Sequence, residues 1–159
     1  MVIILLRKEI NGASMRIISS YLLAVLVTYV LGAAFVSQGN IAAVTSMGFE
    51  ISMAQRFEAM MHDVTSMYDI YLILIAIALL IALPVAEFII RRFPELRMVG
   101  YLSAGFVAMV AIHVILKAVL GLSGIAPTRE LFGLLAQGIA GALGGFVFHY
   151  VNSSLLRAN

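Results

Sequence analysis

The chain has 159 residues, of which 63% are hydrophobic and only 11% charged, and its mean hydropathy is +1.08. A soluble domain carries roughly 25% charged residues because its surface must meet water, so this composition excludes an ordinary water-soluble globule. The formal charge of +2 is dispersed, with no polybasic run to bind phosphates, so nucleic acid is not an expected partner; the lack of cysteine removes disulfides, thiolate metal sites and cysteine nucleophiles.

A helix rising about 1.5 Å per residue needs roughly 20 apolar residues to cross the hydrocarbon core of a bilayer. The chain opens with an apolar patch, Met1 to Leu6, followed by Arg7, Lys8 and Glu9. That patch is too short to span, and the Asn11-Gly12 pair predicts a break after it, leaving the patch at the cytoplasmic interface. The first span is predicted at about 17–36. It is longer than the 7 to 15 apolar residues of a signal peptide and reads as an uncleaved anchor.

A loop is predicted at Gln38-Gly39-Asn40, followed by the only sizeable extramembrane element. Ser52 and Gln55 form a capping box, each side chain satisfying an otherwise orphaned N–H. Behind it, Met53, Phe57, Met60, Met61, Val64 and Met67 recur at helical spacing. An amphipathic helix is expected over about 52–68 on the outer face, either lying in the interface or running directly into the second span.

The second span covers about 70–90 and contains Pro84, which removes a backbone donor and kinks helices. The segment Arg91 to Arg97 makes a short turn, with Pro94 placed to restart a helix. The third span covers about 98–122. After a glycine-bearing loop, Thr128 is expected to cap the fourth span, about 131–151. In the absence of tryptophan, Tyr68, Tyr71, Tyr101 and Tyr150 are the candidates for an aromatic belt at the membrane boundaries.

Four spans place both termini on one side. Arg7, Lys8, Arg16, Arg91, Arg92, Arg97 and Arg157 flank that side, against Arg56, Lys117 and Arg129 on the other. Seven basic residues against three predict cytoplasmic termini. The expected fold is therefore an all-α integral membrane protein: a four-transmembrane-helix bundle with an amphipathic outer-face helix, in one membrane domain.

Helices in lipid associate where small residues let backbones approach. Span 1 presents Ser20, Ala24, Thr28 and Gly32 at four-residue intervals, and span 4 presents Gly141 and Gly145 as a GxxxG pair. These faces are expected to pack helices within the chain or between subunits.

Ionisable and amide side chains within the spans are functional candidates because their burial in lipid is costly. Lys117 falls near the outer end of span 3, where snorkelling explains it, and His113 lies one turn deeper on the same face. Glu87 stands four residues before Arg91, the spacing of a helix ion pair. Gln137 lies well within span 4 and needs a partner, with His113, Thr28 or a backbone group in reach. His149 and Tyr150 are expected at the inner interface. His62-Asp63 beside Met60, Met61 and Met67 has the donor types of a soft-metal site, but methionine at this spacing more often makes an apolar face. His113 and His149 lie at different depths and cannot share a haem. No metal or cofactor is therefore expected, and no hydrolase, metalloprotease or nucleotide-loop motif occurs.

The leading expectation is a non-catalytic membrane subunit or scaffold, with the lipid bilayer, a second copy or a larger complex as its partner. The alternative is a small transporter or channel subunit using Glu87, His113 and Gln137. A lipid- or quinone-interacting redox component ranks third.

Overall fold

The computed structural model describes residues 2–121 and 125–157, all-helical apart from short turns. Five α-helices follow in order: α1 (Val2–Ser46), α2 (Met53–Ser66), α3 (Ile70–Ile90), α4 (Arg97–Leu120) and α5 (Leu131–Arg157). Single 3-10 turns at Pro94–Leu96 and Ala126–Arg129 precede α4 and α5. Four segments are long and apolar enough to cross a membrane: Gly12–Ser46, Ile70–Ile90, Pro94–Val119 and Leu131–Ser154.

The first helix differs from the sequence expectation at both ends. Its backbone is helical from Val2 through Asn11 and Gly12, with no break. One interior glycine costs a helix only about 1 kcal/mol, which a run this long absorbs. The placement of the Met1–Leu6 side chains lies outside the described residues. At the other end α1 continues through Gln38, Gly39 and Asn40 to Ser46. Gly39 is helical and needed for space: a Cβ there would stand 2.7 Å from the Pro127 ring. The helix ends instead at Ser46, and the turn after it contains Gly48, whose φ of 92° suits glycine in the left-handed region.

At the start of α2 the Ser52 hydroxyl accepts from Gln55 N–H at 3.3 Å, while Gln55 Oε1 accepts from Ser52 N–H at 2.9 Å. This helix stops at Ser66 and a short turn separates it from α3, so it does not run on into the second span. It lies against α1, where Tyr29 Oη donates to Val64 O at 2.6 Å and Gln38 Nε2 to Arg56 O at 3.5 Å. Its apolar residues Met53, Phe57 and Met61 remain exposed.

The long helices pack pairwise: α5 lies between α1 and α4, and α3 touches both α4 and α1. Along α3 the buried positions are Tyr71, Ile75, Leu79, Leu83, Ala86 and Ile90, one stripe at three- and four-residue intervals. Helix α3 runs without interruption through Pro84.

Small residues make the central contacts. A Cβ added to Gly141 would coincide with the carbonyl oxygen of Gly105, one added to Gly145 with that of Tyr101, and one added to Gly144 with the Thr28 hydroxyl. Thus α5 turns Gly141 and Gly145 toward α4 and Gly144 toward α1. Ser20, Ala24 and Thr28 on α1 have no exposed surface, and Gly32 is also buried. A Cβ on Gly32 would stand 2.5 Å from the Tyr71 hydroxyl oxygen.

Thr128 does not cap α5. Its hydroxyl donates to Ile125 O at 2.7 Å within the preceding turn, and Glu130 O accepts the first helical bond, from Leu134 N–H.

Candidate functional site

Most of the interior polar side chains gather in two layers, with the buried hydroxyls of Thr28 and Ser37 on α1 outside both and without a hydrogen-bond partner. In the first, Tyr71 of α3 and Gln137 of α5 meet over the α1 backbone. Tyr71 Oη donates to Gln137 Oε1 at 2.5 Å, and Gln137 Nε2 donates to Gly32 O at 3.1 Å. A backbone carbonyl only accepts, so the amide orientation of Gln137 follows from chemistry. The partner predicted for Gln137 is therefore a backbone group, together with a tyrosine that sequence reasoning assigned to an interfacial belt. Tyr71 is buried because it shares the inward stripe of Ile75, Leu79 and Leu83.

His113 joins this layer through the same tyrosine, its ring meeting that of Tyr71 edge-on at a centroid distance of 6.2 Å. It is 6% exposed. Its Nδ1 donates to Met109 O at 2.7 Å, which leaves Nε2 as the nitrogen turned away from its own helix, buried and without a hydrogen-bond partner. A cavity of about 430 Å³ lies beside it, lined by Asp69, Tyr71, His113, Ile125 and Thr128 among others. Lys117, one turn along α4, is exposed in the last turn of its helix, where a cation meets the negative end of the helix dipole.

The second layer lies sixteen residues along α3 from Tyr71, about 24 Å at helical rise. Glu87 is its centre. Tyr101 Oη of α4 donates a short hydrogen bond to Glu87 Oε2. Arg91 Nε lies 3.8 Å from Glu87 Oε1, the predicted i,i+4 pair, and Arg97 Nη2 lies 3.7 Å from Oε2. Both are ion-pair separations beyond ordinary hydrogen-bond length. Tyr101 is 1% exposed, so it too belongs to the interior and not to a belt; Tyr68 and Tyr150 are exposed.

The layer continues onto α1 and α5. Arg16 Nε of α1 donates to Asn152 Oδ1 of α5 at 2.9 Å. His149 packs its ring 5.9 Å from that of Tyr101 and is half-buried.

The structure thus brings His113 and Gln137 into one cluster through Tyr71 and leaves Glu87 in another. His62 is exposed and Asp63 half-buried on α2, 3.5 Å apart. Sequence reasoning missed Tyr71, Tyr101, Arg16 and Asn152. For Tyr101 a signal was present: it stands four residues before Gly105, the glycine on which Gly141 closes.

Comparison with protein-family models, with curated proteins and with solved structures finds no match to this chain. Its chemistry must therefore be argued from the two layers themselves. Each joins separate helices through hydrogen bonds made within the chain, with His113 Nε2 left without a partner in the first layer and Arg97 Nε and His149 Nδ1 in the second.

Proposed function

We propose that this chain is a non-catalytic integral membrane subunit: a four-helix bundle of a bacterial inner membrane, with α2 on its outer face and both termini cytoplasmic. It serves as a structural element of a larger membrane complex or homo-oligomer. The observation that carries this reading is the separation of the polar layers. Ile75, Leu79, Leu83, Ala108 and Met109 lie between them, each less than 9% exposed. A conducting path needs a continuous route for ions or protons, whereas layers bonded largely within themselves, with the Thr28 hydroxyl standing alone between them on α1, set helix register and orientation. The orientation follows the excess of arginine and lysine around the termini and the α3–α4 turn.

The small-residue faces predicted from sequence are consumed inside the chain, so a partner must meet another surface. A groove of about 570 Å³ between α3 and α4 supports this, lined by Ala78, Ala82, Gly100, Ala104 and Ala111. Its alanines admit the close approach of an apolar helix from a partner.

Native mass spectrometry of the protein extracted from its own membrane tests the proposal. A retained second copy or foreign subunit, released by Ala82→Leu together with Ala104→Leu, is the expected result. A chain that is monomeric and unaccompanied under every mild extraction condition overturns it. The transporter or channel reading draws on one observation, the unpaired His113 Nε2 beside a cavity. It requires proton or ion flux in liposomes that His113→Ala or Glu87→Gln abolishes.

A further inference from the structure

At the arginine-bearing end of the helices, α1, α3, α4 and α5 border a second cavity of about 430 Å³. Its lining divides by chemistry into polar residues, among them Arg16, Arg91, Arg97 and Asn152, and an apolar wall that includes Ile17, Ile18, Leu80 and Leu83. We propose that this cavity holds one anionic phospholipid, its phosphate on Arg16, Arg91 and Arg97 and an acyl chain along Ile17, Ile18 and Leu80.

Charge gives the first argument. Three guanidinium groups line the cavity and Glu87 is the sole carboxylate among its lining residues. An excess of positive charge at the end of a membrane span selects an anionic headgroup. Arg92 and Glu95, on the adjoining turn, do not line it.

Hydrogen-bonding capacity gives the second. Arg91 and Arg97 approach Glu87 only to 3.8 and 3.7 Å, so neither spends its donors fully on the carboxylate. Arg97 Nε is buried with no hydrogen-bond partner. A buried guanidinium N–H without an acceptor is costly, and a phosphate oxygen supplies the charge-assisted acceptor that arginine's fork is shaped to take.

The apolar wall gives the third, and it separates a lipid from free phosphate. Ile17, Ile18 and Leu80 are 48%, 51% and 59% exposed, so the cavity opens sideways onto the surface that faces hydrocarbon. An acyl chain covers that wall while its phosphate stays at the arginines; inorganic phosphate leaves the wall uncovered. This site stands independently of the subunit proposed above, because it needs no protein partner.

The test is native mass spectrometry of the purified full chain titrated with phosphatidylglycerol or with phosphatidylcholine of the same acyl chains. Retention of one phosphatidylglycerol per chain with about tenfold preference over phosphatidylcholine is expected. Arg91→Gln should remove most of that preference, while Arg92→Gln, a neighbouring charge outside the cavity, should leave it intact. Equal retention of the two lipids overturns the proposal, as does an equal loss in both variants or no loss in Arg91→Gln. Displacement of the bound lipid by millimolar inorganic phosphate would assign the site to a free anion and overturn the lipid. If Arg91→Gln fails to fold, the two-lipid comparison on the unaltered chain decides alone.

Discussion

The backbones of Gly105 and Gly141 meet with no side chain between them: a Cβ on either residue would coincide with the carbonyl oxygen of the other. The contact brings the α4 and α5 backbones together, and a neighbouring one, Gly145 against Tyr101, repeats it a turn away. Because the obstructing atoms are backbone, a larger residue cannot be accommodated by a rotamer change. Gly141→Ala should destabilise the folded chain by about 1–3 kcal/mol, the usual range for overpacking, and Gly141→Leu should prevent native packing. Thermal denaturation in detergent checks this. Loss of tertiary structure in the monomer is the expected outcome for the Leu variant; a folded monomer with only its assembly lost would contradict the contact.

Tyr71 and Gln137 provide a second test. Tyr71→Phe leaves Gln137 Oε1 buried without its donor, a loss of about 1–3 kcal/mol. Adding Gln137→Leu removes the orphaned amide and should recover part of the loss. The coupling in the double-mutant cycle is expected near 0.6 kcal/mol and at most about 1.7, as for other hydrogen bonds between membrane helices. Strict additivity of the two substitutions would mean the bond carries no net stability.

Around Glu87, its partners Tyr101 and Arg91 should differ sharply. Arg91 is 74% exposed in its side chain, and exposed ion pairs contribute about 0–1 kcal/mol. Tyr101 is buried, and Tyr101→Phe takes the hydroxyl donor from the half-buried Glu87 carboxylate, with a loss of about 1–3 kcal/mol. Unfolding of Arg91→Gln and Tyr101→Phe in a denaturing detergent series should rank tyrosine above arginine. The reverse order would locate the stabilising contact of Glu87 at the surface.

The cysteine-free sequence makes topology directly measurable. Ala54→Cys on α2 and Glu95→Cys on the α3–α4 turn are exposed positions at opposite ends of α3. With cytoplasmic termini, a membrane-impermeant maleimide should label Ala54→Cys in intact cells and Glu95→Cys only after permeabilisation. The opposite pattern inverts the orientation.

Much of this protein was legible in its sequence because much of it is local. The predicted second span, 70–90, coincides with α3, since length and apolarity are properties of a continuous stretch. The Ser52–Gln55 cap was readable for the same reason: both partners lie within four residues. Glu87 with Arg91 likewise needed only one helical turn.

What the sequence by itself determined, then, is the four helices long and apolar enough to cross a membrane, the α2 cap and the local ion pair, because these depend on spacing along one chain segment. Tertiary structure alone decided which tyrosines face inward and where helices end. Tyr71 reaches Gln137 across 66 residues and Gln137 reaches Gly32 across 105; no periodicity encodes such a meeting. Gly39 carried a loop signal, but the Pro127 ring against it belongs to a segment far along the chain. The small residues of α1 and α5 declared close packing without declaring against what. Only the juxtaposition of α4 and α1 on two faces of α5 assigned their partners, because contact geometry is set by the whole set of helices and not by any one of them.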